Sequence, residues 1–286
     1  MKIIDVHSHW GTRRGYTLRT EAELAQQKKT WNSDPKYHTE DEMIGHFRDN
    51  DVQVILDFGF TKFKPLDEAA AIHDYGFEVQ RAGMDRILGH WLHIEPATGE
   101  AGVRELRRCI DLAPGFLGFA VNGSGSGPAS DPVWFPFYDL CIQACIPVLV
   151  FVGTTGLGAG LPGGMGILLD DCHPRHLDAV AAHYPELKIV AARPGWPWQA
   201  ETIAVLMHKR NIWYELHGWS PKYFTPELKH EISRRLRSRL MFGADYPLFT
   251  YERLVGEWRK EGYSEDVLDN LFHRNAERFL ESVKRQ

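Results

Sequence analysis

The sequence predicts a parallel α/β fold closed into a (β/α)8 barrel, and three observations carry that expectation. Short apolar runs bounded by turn residues alternate with longer amphipathic stretches along the chain, the pattern of parallel strands joined by crossover helices. Eight such runs can be followed, the number a closed barrel needs. The length of 286 residues suits one barrel of about 250 residues with its loops, so residues 1–286 are expected to form a single domain.

The first run, Lys2 to Trp10, contains His7-Ser8-His9. Side chains two apart on a strand share a face, so His7 and His9 are aimed at one point where the strand ends. Residues 10–38 then form a long polar segment with Arg13, Arg14, Arg19, Lys28 and Lys29, a candidate lid because it exceeds a routine connection. Thr39-Glu40-Asp41-Glu42 reads as a capping box that opens a helix to about Asp49, followed by a strand over Val52–Asp57. The alternation continues with a helix over 66–81, a strand over 87–94, a helix over 100–111 and a strand over 116–121. A helix over 133–144 precedes strand five at 146–152, where Pro147 is tolerated at the start of the strand. Helix 174–183 leads to strand six at 187–192, helix 200–208 to strand seven at 212–216, and helix 226–237 to the eighth strand near Leu240. Amphipathic stretches at 251–261, 264–272 and 275–284 close the chain.

Composition narrows the function. Apolar residues are 43% and charged residues 25%, ordinary for an enzyme, and the formal charge of -5 offers no basic field for nucleic acid. No apolar run reaches the roughly 18 residues that span a bilayer, so no membrane contact is expected and a cytoplasmic location is. Cys109, Cys141, Cys145 and Cys172 form no C-x-x-C pair and read as buried reduced thiols.

Barrel enzymes carry their chemistry at the C-terminal strand ends, which here present His7, His9, Asp57, Glu95, Asn122, Phe151, Arg193, His217 and Asp245. Two imidazoles aimed at one point need only a carboxylate or a third nitrogen to hold a borderline metal, and Asp245 at the end of the last strand is the natural partner. Gly158 to Gly163 formally satisfies G-x-G-x-x-G, but Pro162 and the later glycines open no helix, so a flexible loop over the mouth replaces a nicotinamide site as the reading.

The His7-x-His9 pair, the glycine-rich segment 153–166, Pro194 to Gln199, Gly218 to Phe224 and Phe242-Gly243-Ala244-Asp245-Tyr246-Pro247 together resemble the amidohydrolase superfamily. The resemblance covers nearly the whole chain and is nearest to the branch containing aminocarboxymuconate-semialdehyde decarboxylase and the resorcylate-type decarboxylases. It implies a distorted (β/α)8 barrel, a divalent metal that is usually zinc or manganese, a homodimer, and hydrolysis or nonoxidative decarboxylation of small aromatic or related carboxylates. Two positions depart from the family pattern. Phe151 and Arg193 stand where ligand histidines are expected, and neither side chain can ligate a metal.

Three readings stay open at this stage. In the first, His7, His9, Asp245 and a water hold the metal, zinc ahead of manganese, with His173 or His217 as a replacement ligand. In the second no metal is needed, and Arg193 supplies the positive charge. In the third the barrel is a non-catalytic binding subunit. The favoured expectation is an enzyme that cleaves a C–C or ester-type bond in a small aromatic or unsaturated carboxylate, with a β-keto acyl thioester as the alternative substrate. Asp245 would shuttle a proton, His217 would assist as acid or base, and Arg193, Asn122, Glu95 and Trp196 would contact the substrate.

Overall fold

The computed structural model describes residues 2–15, 21–31 and 37–283. Eight strands, β1 (Ile3–His9), β2 (Val52–Asp57), β3 (Ile87–Leu92), β4 (Phe116–Val121), β5 (Val148–Phe151), β6 (Ile189–Ala192), β7 (Ile212–Glu215) and β8 (Leu240–Met241), lie side by side in chain order, each parallel to the next. The helices are α1 (Glu21–Trp31), α2 (Glu40–Asp49), α3 (Leu66–Ala82), α4 (Gly99–Leu112), α5 (Phe135–Gln143) and α6 (Pro174–His183) in the first part of the chain. Then come α7 (Gln199–His208), α8 (Pro226–Ile232), α9 (Tyr251–Lys260), α10 (Glu265–Asp269) and α11 (Asn275–Ser282), with a π-helical turn over Asn270–Arg274 between the last two.

The seam between β8 and β1 closes through hydrogen bonds from the residues around β8. Val6 N–H donates to Phe242 O at 2.9 Å, Asp245 N–H to His7 O at 2.9 Å and His9 N–H to Tyr246 O at 2.7 Å. Asp5 locks the same seam from within. Its buried carboxylate accepts from Ser8 Oγ at 2.5 Å, Tyr251 Oη at 2.8 Å, and the backbone N–H groups of His7 at 3.0 Å and Ala244 at 3.1 Å.

Period-two patterning divides the apolar residues into two cores. Leu149 and Phe151 of β5, Val190 and Ala192 of β6, and Ile4 and Val6 of β1 fill the barrel interior, whereas Val148, Val150, Ile189 and Ala191 face the helices. Phe279 of α11 seals the N-terminal end of the barrel against Trp91, Phe116 and Trp213, with ring centroids 5.7–6.4 Å away. The chemistry is thereby confined to the other end.

Most expected elements form within a residue or two of their predicted bounds, and three do not. The segment over 10–38 contains α1, a polar helix whose Gln26 amide reaches Gly160 O at 3.2 Å in the glycine-rich loop. Arg19, counted among the basic residues of that segment, lies outside the described residues, as do 16–18, 20 and 32–36. The helix expected over 226–237 stops at Ile232, and β8 is two residues long because the pairing that closes the barrel is carried by the following residues. Three of the cysteines are buried as expected, but Cys145 is exposed. No helix among the described residues is long and apolar enough to cross a membrane.

Candidate active site

The pairing of β1 with β2 shifts register between Asp5 and Ser8. A strand irregularity of this kind re-aims side chains, and here it lets His7 face inward although its neighbour Val6 also belongs to the interior core. The His7 and His9 rings then lie 5.4 Å apart at the C-terminal end of the barrel. Because β2, β1, β8 and β7 are consecutive in the sheet, their ends supply the partners.

His7 is fully buried between two carboxylates, with Nε2 3.1 Å from Asp57 Oδ2 and Nδ1 3.1 Å from Glu215 Oε1. Burial alone would lower its pKa, but Glu215 and Asp57 outweigh burial and raise it to about 10. Asp57 also meets His93 Nε2 at 2.8 Å, and His9 Nε2 meets Asp245 Oδ1 at 2.9 Å. The Asp245 carboxyl is held below the usual range because the hydrogen bond and charge of His9 overcome its burial.

His217 stacks on His7 with centroids 3.4 Å apart. His217 Nδ1 lies 2.6 Å from Glu215 Oε1, and its Nε2 accepts from Arg193 Nε at 3.2 Å. A ring nitrogen that accepts from a guanidinium carries no proton, so His217 is the neutral Nδ1–H tautomer. Burial lowers its pKa to about 4, with the charge of His7 adding to the effect. Gly243 makes room for this pair, since a Cβ there would stand 2.7 Å from Glu215 Oε2.

Arg193 donates from Nη1 to Thr154 O at 2.9 Å and lies 4.9 Å from the centre of the Phe151 ring. Its Nη2 has no hydrogen-bond partner among the described residues. Arg193 and Asp245 both adopt positive φ, at 74° and 58°. Such backbone is uncommon for a non-glycine residue, particularly for arginine, and concentrates where a site over-determines the chain. Phe151 fills the middle of the group, 5.6 Å from His7 and 5.8 Å from both His93 and His217.

The structure thus brings His7, His9, Asp245, Arg193 and His217 together and leaves other expected residues elsewhere. His173 is a correction. It caps α6, with Nδ1 accepting from Arg175 N–H at 3.1 Å and Nε2 3.1 Å from Glu201, so both nitrogens are engaged away from the histidine group. Glu95 binds Phe63 N–H at 3.1 Å and Ser126 Oγ at 2.7 Å, and Asn122 accepts from Ser124 N–H at 3.1 Å, so both hold loops at the rim. Trp196 is 45% exposed beside Trp219. Asp57, Glu215 and His93 are the residues that sequence reasoning did not assign. Asp57 was visible as a strand end and Glu215-x-His217 as a second alternating pair, but neither signals which barrel neighbour it meets.

A profile of the amidohydrolase family matches residues 4–281. The chain belongs to this family. No curated protein sequence matches the amidohydrolase closely enough to count as a relative. Among solved structures it is similar to an uncharacterised TIM-barrel protein of Bordetella bronchiseptica, at 20% identity and TM-score 0.75, with 100% of each chain covered. It is also similar to a 5-carboxyvanillate decarboxylase of Novosphingobium aromaticivorans complexed with manganese, at 16% identity and TM-score 0.72, covering 98% and 96% of the two chains. A third is the probable 2-pyrone-4,6-dicarboxylic acid hydrolase of Acinetobacter baumannii with citric acid bound, at 15% identity and TM-score 0.63, covering 98% and 100%. At these identities the structures establish the barrel fold.

The divalent metal implied by the family was tested against the donors. His7 Nδ1 and Nε2, Asp57 Oδ2 and His93 Nε2 are buried and close to opposite charges, yet none has a hydrogen-bond partner with acceptable alignment. Donor atoms of His7, His9 and Asp57 all lie within 4.8 Å of one another. Imidazole and carboxylate donors left unsatisfied in so small a space fit a divalent ion. A second group, His7, Glu215 and His217, meets the same spacing, but Arg193 and Glu215 already engage both nitrogens of His217.

Proposed function

We propose that this amidohydrolase cleaves a small aromatic or unsaturated carboxylate whose anionic group is held by Arg193. The observation that carries this reading is the arginine fork itself. His217 and Thr154 fix two of the guanidinium nitrogens, while Nη2 stays unengaged beside the imidazole–carboxylate cluster. A planar guanidinium so fixed suits a carboxylate oxygen as a charge-assisted hydrogen-bond acceptor.

An anion gripped in this way is stabilised in the bound ground state, which opposes its departure as carbon dioxide. The bond broken is therefore an ester-type or C–C bond, or a second carboxylate, elsewhere in the substrate. His7, His9, Asp57 and Asp245 would hold the divalent ion, and the two imidazoles in the set favour zinc over manganese. A divalent ion in such a set supplies a Lewis acid for a substrate oxygen and lowers the pKa of water. Asp245 then accepts a proton at its carboxylate edge, with His9 Nε2 2.9 Å from Oδ1 to share it. Glu215 fixes His7 and His217 together, and His217 orients Arg193.

The test is a panel of aromatic and unsaturated esters, lactones and dicarboxylates, each paired with an analogue lacking the free carboxylate. Wild type is expected to prefer the carboxylate-bearing member, and Arg193→Gln to raise its KM by roughly tenfold or more, as loss of one charge-assisted contact implies. Equal turnover of the paired compounds, or an unchanged KM in the variant, contradicts the proposal.

A further inference from the structure

The opposite end of the barrel carries a second concave site. It is a depression of about 450 Å3 open to solvent, lined mostly by exposed side chains, with Arg234, Arg237, Arg274 and Arg278 around it and Asp266 as the one acid in the lining. Arg237 lies three residues before the start of β8, which puts this depression at the N-terminal end of the strands, away from the histidine cluster.

The charge distribution there needs an explanation. The chain as a whole carries -5, yet four permanently protonated side chains face one recess. Asp266 answers part of that charge, pairing with Arg237 and, at 2.9 Å, with Arg274 Nη1, while Asp269 lies 2.9 Å from Arg274 Nη2. Arg278 is hydrogen-bonded only to the neutral amides of Asn270 and Asn275, and no acid among the described residues pairs with Arg234. Two guanidinium groups thus remain uncompensated at the edge of a cavity large enough for a small ligand.

The backbone supplies an independent observation. Arg274 stands at the end of the π-helical turn Asn270–Arg274, inserted between two α-helices. A π turn gives up α-helical hydrogen bonding and is frequent at functional sites, and here Asn270 and Arg274 of the turn line the depression. The wall is also anchored: Asn275 Nδ2 donates to Arg237 O at 2.9 Å and Leu240 O at 2.6 Å, and Phe242 N–H to Leu271 O at 3.0 Å. The arginines therefore project from a framework tied to the base of β8.

We infer that this recess binds a soluble small molecule bearing two adjacent phosphate groups, a pyrophosphate or a closely similar polyphosphate ester. Guanidinium forks match phosphate oxygens in pairs, and two uncompensated forks lining one depression suit a ligand with two such groups. The net negative charge of the chain disfavours an anionic membrane as the source.

The probe is inorganic pyrophosphate, titrated calorimetrically into full-length, chelator-treated protein. Saturable binding of one equivalent is expected with a Kd at or below about 1 mM in physiological salt. Arg234→Gln/Arg278→Gln, two exposed positions outside the active site, should weaken it by about tenfold or more while leaving the melting temperature and basal turnover unchanged. Arg193→Gln should bind pyrophosphate as wild type does, which separates this recess from the substrate site. No saturable binding, equal binding in the double variant, or loss of binding in Arg193→Gln overturns the inference. Vesicles containing phosphatidylinositol bisphosphate test the other source of the same chemistry. The protein should stay in solution, and co-sedimentation abolished by Arg234→Gln/Arg278→Gln overturns the assignment to a soluble ligand.

Discussion

His217 shows how far the site depends on the position of single protons. Two stacked imidazoles 3.4 Å apart cannot both be cations at little cost, and Glu215 resolves the conflict by serving both rings. His217 stays neutral, and its free lone pair receives Arg193. Because His217 acts through Arg193, His217→Ala should reduce kcat/KM by roughly 10–100-fold, the usual scale for a group that orients a binding residue, with bound metal unchanged. Loss of the metal in that variant would instead make His217 a ligand. A different histidine, outside the site, contributes to the response to acid. His90 packs between Phe58 and Trp10, with ring centroids at 4.5 and 5.2 Å, and burial lowers its pKa to about 3. Between that value and the ordinary 6.5 the unfolded chain binds the extra proton, so the stability His90 contributes is full above pH 6.5 and is lost as pH falls toward 3. In that window the slope is about 1.4 kcal/mol per pH unit for one group. His90→Leu should flatten the dependence of the unfolding free energy on pH by up to this amount, whatever it does to stability at neutral pH; an unchanged slope would contradict the assignment.

At the scale of the element, the β8–β1 seam is where the fold and the site are built together. Asp5 gathers donors from Ser8, Tyr251, His7 and Ala244, so one carboxylate holds the strand that bears His7 and His9 against the loop that bears Asp245. Removing it strands several buried donors, and Asp5→Ala is expected to cost about 3–5 kcal/mol in chemical denaturation. A cost below about 1 kcal/mol would mean that water or a neighbour replaces it. Much of this level was readable in advance. The capping box at Thr39 and Glu42 forms as expected at the start of α2, and the apolar runs gave all eight strands in order. The failures have physical causes. Polar α1 lacks the apolar stripe by which a helix is recognised, and the shortness of β8 depends on closing hydrogen bonds that no periodicity encodes.

Considered as a whole, the molecule places its histidine cluster and its arginine cluster at opposite ends of one barrel, with α11 sealing the end that carries the arginines. Which residues stand at the C-terminal strand ends could be read from the sequence, and of the two histidines set beside Asp245 on that ground, His9 meets its carboxylate. The angular position of each end around the barrel could not. Asp57, Glu215 and His217 join the cluster because β2 and β7 are next to β1 and β8, a relation created only when the sheet closes. Phe151 and Arg193, the two departures from the family pattern, put an apolar ring and a guanidinium 4.9 Å from its centre where metal ligands were expected. The account therefore rests on a divalent ion retained by the β1, β2 and β8 residues alone. Elemental analysis of protein purified without chelator, wild type beside His7→Ala/His9→Ala and Asp57→Ala, tests this most directly. About one equivalent of zinc or manganese per wild-type chain, lost from the double variant and reduced in Asp57→Ala, is the expected result. No metal in wild type even after reconstitution, or the same content in all three proteins, would contradict it.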